Sequence, residues 1–306
     1  MNLRILAAAL FAMAAAAGPS RAQEIVLTGT LKAIQARGTI LLGVRQEAVP
    51  FSFKNKGGQS VGFSVDICRG IAADVATAIS QPLLDDDAPA WQRGLRIVFV
   101  PVAAEARLQK LVAGEVDLEC GSTTDNAERE KTIAFSPIFF LAGTQLLAPV
   151  GSRLRSWRDL TSVAVSAGTT NAAVIKHLVA GATPPVRVVE TDGVSAAYDL
   201  LAAGSVDAIA SDDILLAGLV ALHGDRQRFH LVGDFLSFEP YAIGLRRDDP
   251  QFSALVRASF ERMASDGELA RRYRQWFTEP LPNGENLRLS MSAQLSEMYR
   301  ALGQPD

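Results

Sequence analysis

The sequence predicts an α/β protein of two lobes, each a parallel sheet with helices packed on it. Three observations point there. Short Val/Ile-rich strands alternate with helical runs along the chain, the pattern of sheets covered by helices. A segment also recurs: Leu111-Val-Ala-Gly-Glu-Val-Asp117 returns as Leu201-Ala-Ala-Gly-Ser-Val-Asp207. In both copies an apolar helical run stops at a glycine suited to a helix C-cap, and a strand follows. Finally, the two strands are expected to end at Ser122 and Asp212, and open α/β sheets bind ligands at the carboxyl ends of their strands. One mouth then carries a hydroxyl cluster and Arg129, the other the paired carboxylates Asp212-Asp213. Two such lobes facing each other can hold a small zwitterion.

The elements follow in order. Arg4, an unbroken apolar run over 5–17 and Ser20-Arg21-Ala22 read as a signal peptide over 1–22, cleaved after Ala22. The run is shorter than the ~20 residues of a membrane-spanning helix. No cysteine lies at the cleavage region, which argues against a lipid anchor. A short amphipathic helix over 31–36 ends at Gly38, and a buried strand spans 39–44. A strand leads into a helix across 61–79, and residues 82–90 form an acidic, proline-bearing loop. A β-rich run covers 95–102 and a helix 107–112. Long apolar runs over 139–148 and 241–245 read as two hinge strands, setting one lobe at 23–140 plus 244–306 and the other at 141–243. Within the second lobe, the strand 163–165 leads through Ala167-Gly-Thr-Thr170 to a helix beginning near Asn171. Past Asp249 an apolar stripe of Phe252, Leu255, Phe260, Met263, Leu269, Tyr273 and Trp276 marks helical core. A last helix covers about 292–302.

Composition narrows the function. With 306 residues, 48% hydrophobic, 21% charged and a net charge of -3, the chain is that of a soluble globular protein. It lacks the basic stripe of a nucleic-acid binder. Cys68 and Cys120 are the two cysteines, and in an exported protein they are open to one disulfide or to two buried thiols. His177, His223 and His230 show no zinc spacing with them.

Ordered anchors then give the chain a family likeness: Gly43-Val-Arg-Gln-Glu-Ala-Val-Pro-Phe51, Gly62-Phe-Ser-Val-Asp66, Cys120-Gly-Ser-Thr-Thr124, Glu128-Arg129, Phe135-Ser136, Ala167-Gly-Thr-Thr170, Asp212-Asp-Ile-Leu-Leu-Ala217 and Arg246-Arg-Asp-Asp-Pro-Gln-Phe252. From about Leu31 to the C-terminus the chain resembles the family 3 extracellular solute-binding proteins of polar amino-acid ABC transporters, and among them the glutamate/aspartate-binding members. The resemblance implies a type II periplasmic binding protein: two α/β lobes closing over the ligand about two hinge strands. It implies a periplasmic monomer with an amino-acid ligand and an inner-membrane ABC permease as partners, and no catalysis, cofactor or metal.

The same resemblance assigns site residues. Arg129 takes the α-carboxylate, for which its planar fork is suited. Thr124 contacts the carboxylate and Ser122 the ammonium. Thr170, at a helix start that is also an anion site, contributes from the other lobe, and Asp212 takes the ammonium, with Asp213 a helix cap. Arg45 and Arg107 match the readers of a distal carboxylate. Three arginines against one aspartate leave a positive surplus that a second ligand carboxylate satisfies.

Two positions depart from those relatives. Ala104 stands in place of a serine and Val194 in place of a histidine, which removes two donors, and Glu105 can pair with Arg45 or Arg107 and cancel the surplus. A neutral or amide amino acid, or an exported dehydratase on the same fold, is the alternative. Phe51 and Phe53 either wall the pocket or pack in the core.

Overall fold

The computed structural model describes residues 26–305. The signal peptide expected over 1–22 lies outside them. Two five-stranded sheets carry the molecule. The first runs Arg96–Pro101, Thr39–Val44, Leu118–Glu119, Gly244–Arg246, Ile133–Phe135; the second runs Arg187–Thr191, Ser162–Ser166, Ala208–Asp212, Phe140–Pro149, Phe229–Tyr241. Each begins with parallel pairs and ends with antiparallel ones, so the halves share one plan. A small antiparallel sheet of Glu47–Ala48, Ser52–Lys54 and Ser60–Val61 stands beside the first.

The recurring segment explains that likeness. Gly114 and Gly204 follow their helices with φ of +74° and +70°, a left-handed turn that glycine adopts without a β-carbon clash. The aspartates three residues on then bind the neighbouring strand. Asp117 accepts from the Leu41 N–H at 2.9 Å, and Asp207 from those of Thr161 and Ser162 at 2.9 and 2.8 Å. They join strands.

Some expected boundaries move. The strand before Ser122 stops at Glu119, although the Cys120 N–H still donates to the Gly43 carbonyl at 2.7 Å. Cys120, where the strand has ended, is joined to Cys68. The strand paired with Phe140–Pro149 is Phe229–Tyr241, upstream of the run expected at 241–245, and Gly244–Arg246 belongs to the first sheet instead. A register shift between Val232 and Ser237 accommodates Gly233, whose φ is +77°.

Core packing decides the phenylalanines. Phe51 is fully buried, edge-on to Phe140 and Tyr241 at 4.9 and 5.1 Å, and Phe53 stands edge-on to Trp276. Neither walls the cleft. The stripe from Phe252 to Trp276 packs into the same core.

The Cys68–Cys120 bridge closes a loop across 52 positions and pins the base of the Ser122 turn. Cys68→Ser with Cys120→Ser is expected to lower unfolding stability by about 2–4 kcal/mol in a denaturant titration. An unchanged midpoint would show that the bridge contributes nothing.

Candidate ligand-binding cleft

The carboxyl ends of both sheets meet at one narrow cleft of about 30 Å³. Arg45, Ala48, Ala104, Arg107, Ser122 and Thr124 line it from the first half. Ser166, Thr169, Thr170, Asn171, Ser211 and Asp212 line it from the second. Each position follows from local structure. Arg45 follows the strand Thr39–Val44, and Arg107 opens the helix Arg107–Val112. Thr170 and Asn171 open the helix Thr170–Val179, and Asp212 closes its strand. Thr169 caps its helix by accepting from the Ala172 N–H at 3.2 Å, leaving other first-turn N–H groups as donors.

Of the expected residues, Arg129 alone does not line the cleft. It is partly buried behind it and donates to the Thr124 carbonyl at 2.8 Å. Burial, then the neighbouring Arg107, lowers its pKa to about 10. Arg45 is 8% exposed, and the same two causes lower it to about 10. Arg107 is 4% exposed, and burial again lowers its pKa. Their hydrogen bonding differs. Arg107 donates to Thr123 Oγ1 at 2.7 Å and to the Ala104 carbonyl. The Arg45 guanidinium makes no hydrogen bond among the described residues; its ion-pair neighbour is Glu47, at 3.7 Å.

Asp212 is held from two sides. Asn171 Nδ2 donates to Oδ1 at 2.8 Å and the Tyr241 hydroxyl donates to Oδ2. Burial and then the charge of Glu239 push its pKa up to about 7. Asp213 opens its helix, and backbone N–H groups there, those of Ile214 and of Asp213 itself, act on its carboxylate as expected of a cap, while burial raises its pKa overall. Its Oδ1 accepts from the Gly143 N–H at 3.2 Å, tying the helix to the Phe140–Pro149 strand.

Two carboxylates were not expected here. Glu239 Oε2 accepts from Thr124 Oγ1 and Thr170 Oγ1, both at 2.6 Å, and Oε1 accepts from Ser237 Oγ. The threonine protons are therefore committed to Glu239, and what these residues offer a ligand is hydroxyl oxygen and backbone. Glu119 is fully buried, and its charge acts on all three arginines. Arg45, Arg107 and Arg129 are three cations set among four carboxylates, Glu47, Asp212, Glu119 and Glu239. The positive surplus expected from sequence is thus removed, though not by Glu105, which is exposed and forms no ion pair among the described residues.

Ala104 and Val194 do line the cleft. Glu47 reaches across to Val194, its Oε1 accepting from the Val194 N–H at 3.1 Å at the start of the helix Val194–Ala202. A β-carbon on Gly218 would sit 2.3 Å from the Val49 carbonyl oxygen of the other half. Because that neighbour is backbone, Gly218→Ala is expected to wedge the halves apart. Titration calorimetry should then show ligand binding at least about tenfold weaker, with a larger radius of gyration in solution scattering.

Among the described residues, no cluster of His, Cys, Asp and Glu forms a metal cage, and no helix is long and apolar enough to cross a membrane. Residues 40–279 match the bacterial extracellular solute-binding proteins, family 3. The chain belongs to this family. Over 306 residues it is 31% identical to the glutamate/aspartate import solute-binding protein of Escherichia coli (strain K12), covering 99% of this chain and 97% of that protein. An ancestral arginine-binding protein bound to arginine superposes with a TM-score of 0.68 at 27% identity, covering 79% of this chain and 99% of that one. An ancestral amino acid-binding protein described as a precursor of cyclohexadienyl dehydratase gives 0.67 at 26%, covering 81% and 99%. The two-lobe fold of the family 3 proteins is therefore the fold of this chain.

Proposed function

We propose that this family 3 protein captures an acidic amino acid, glutamate or aspartate, and delivers it to an inner-membrane ABC permease. The observation that carries this reading is Arg45, a buried cation that lines the cleft, its guanidinium making no hydrogen bond among the described residues and its ion-pair neighbour Glu47 standing off at 3.7 Å. Such a group calls for an anionic acceptor. Arg45 and Arg107 would hold the distal carboxylate. Asp212, with Ser122, would hold the ammonium. The Thr170 helix start and the Thr124 backbone would hold the α-carboxylate, with Arg129 neutralising it from behind.

The lobes on this reading are 23–140 plus 244–306 and 141–243, closing about the paired strands Phe140–Pro149 and Phe229–Tyr241. The mature chain would begin at Gln23, work in the periplasm as a monomer, and carry no catalytic activity. The loss of the positive surplus favours one second reading, a receptor for a neutral or amide amino acid. A dehydratase would need a spare acid in the cleft, and Glu105 does not line it.

Titration of unfolded-and-refolded protein with glutamate, aspartate, glutamine, asparagine, histidine and arginine tests this directly. Tight binding confined to the acidic pair is the expected result. Preference for an amide moves the second reading to first place, and silence toward all six removes amino-acid capture.

A further inference from the structure

We propose that Glu119 is the counter-charge that sets how strongly the cleft prefers an acidic amino acid over its amide. The inference builds on the amino-acid reading above. Glu119 lies in the short central strand Leu118–Glu119, with no exposed surface. Neither of its side-chain oxygens has a hydrogen-bond donor among the described residues. A buried carboxylate without hydrogen bonds persists only where nearby cations compensate it. The cations here are those of the cleft. Seen from the β-carbon position of Gly121, Glu119 Oε1 is 2.5 Å away and Arg45 Cγ 3.0 Å away, so the two side chains crowd one small residue. The next residue, Ser122, lines the cleft. Glu119 also acts electrostatically on Arg107 and Arg129.

Glu119 itself is not a lining residue of the cleft. It acts through the arginines, by cancelling one positive charge that a distal carboxylate would otherwise meet in full. Charge interactions are strong where water is excluded. A neutral amide at the same place feels little of this field.

Three proteins are titrated with glutamate and with glutamine: the wild type, Glu119→Gln and Glu119→Asp. In Glu119→Gln the ratio of glutamate to glutamine affinity is expected to rise at least about tenfold. In Glu119→Asp, which keeps the charge, it should stay within about threefold of the wild type. Equal weakening of both ligands in Glu119→Gln would make Glu119 a packing residue only and overturn the inference. The wild type serves even if both variants unfold. With one guanidinium cancelled its ratio should stay below about a thousandfold, and a ratio of 10⁴–10⁵, the range of sites that leave a buried group unpaired with the wrong ligand, would overturn the inference. A wild type that binds neither ligand sinks the amino-acid reading and this inference together, whereas a changed or unchanged ratio judges Glu119 alone.

Discussion

Asp212→Asn is expected to weaken amino-acid binding by about two to three orders of magnitude, the cost of removing one partner from a buried charge pair. It should also flatten the pH dependence of binding. Asp212 is 4% exposed and is fixed by Asn171 and Tyr241, themselves buried. Burial and Glu239 raise its pKa to about 7; Tyr241 and Asn171 pull it down by hydrogen bonding, and Asp213 adds a smaller push upward. Arg107 and Arg129 are the cations that feel its charge. The sign follows from these groups. Below pH 7 the free protein holds Asp212 neutral, while an ammonium ligand requires it ionised, so binding must expel a proton. Affinity should fall about tenfold per pH unit from 7 towards 5, a window above the side-chain pKa of a free acidic ligand, about 4. Calorimetry at pH 6 in two buffers of different ionisation enthalpy should show nearly one proton released. No release, or a pH-independent wild type, would mean that Asp212 does not meet the ammonium.

Arg45→Ala should cost glutamate and aspartate about a hundredfold in affinity, and glutamine much less, because the group lost is a cation facing the distal carboxylate. Arg45→Lys should recover little of the loss, since a point charge does not replace a planar fork. The comparison across ligands is what matters. Equal losses for glutamate and glutamine would show that Arg45 shapes the cleft without reading the side chain, leaving Arg107 as the remaining candidate.

Part of this site is legible in the sequence because its residues follow strands and open helices, where apolar periodicity breaks off. Ser122 and Asp212 are found at such breaks, whereas Arg45, Arg107, Thr124 and Thr170 are assigned by the family resemblance. Asn171 is missed although it adjoins Thr170, because a polar residue in a first turn reads as solvated. Glu119 and Glu239 are missed for a different reason. Each is a single acid within a strand, and period-two patterning assigns it to a solvent face, whereas both are buried. The charge count made without them was therefore incomplete. The pairing of Phe229–Tyr241 is similarly hidden, since Gly233-Asp234 has the chemistry of a chain reversal but forms an irregularity inside one strand.

Glu239 has a consequence for traffic at the membrane. Its carboxylate collects hydroxyls from Thr124 in one half and Thr170 in the other, using protein groups alone. On the proposed reading that clasp would add to whatever the cargo contributes to shutting the cleft. On the proposed reading, vacant receptors able to shut would queue for the permease alongside loaded ones. The strength of a three-hydroxyl knot would then tune not how tightly the cell scavenges, but how often its importer is approached for nothing.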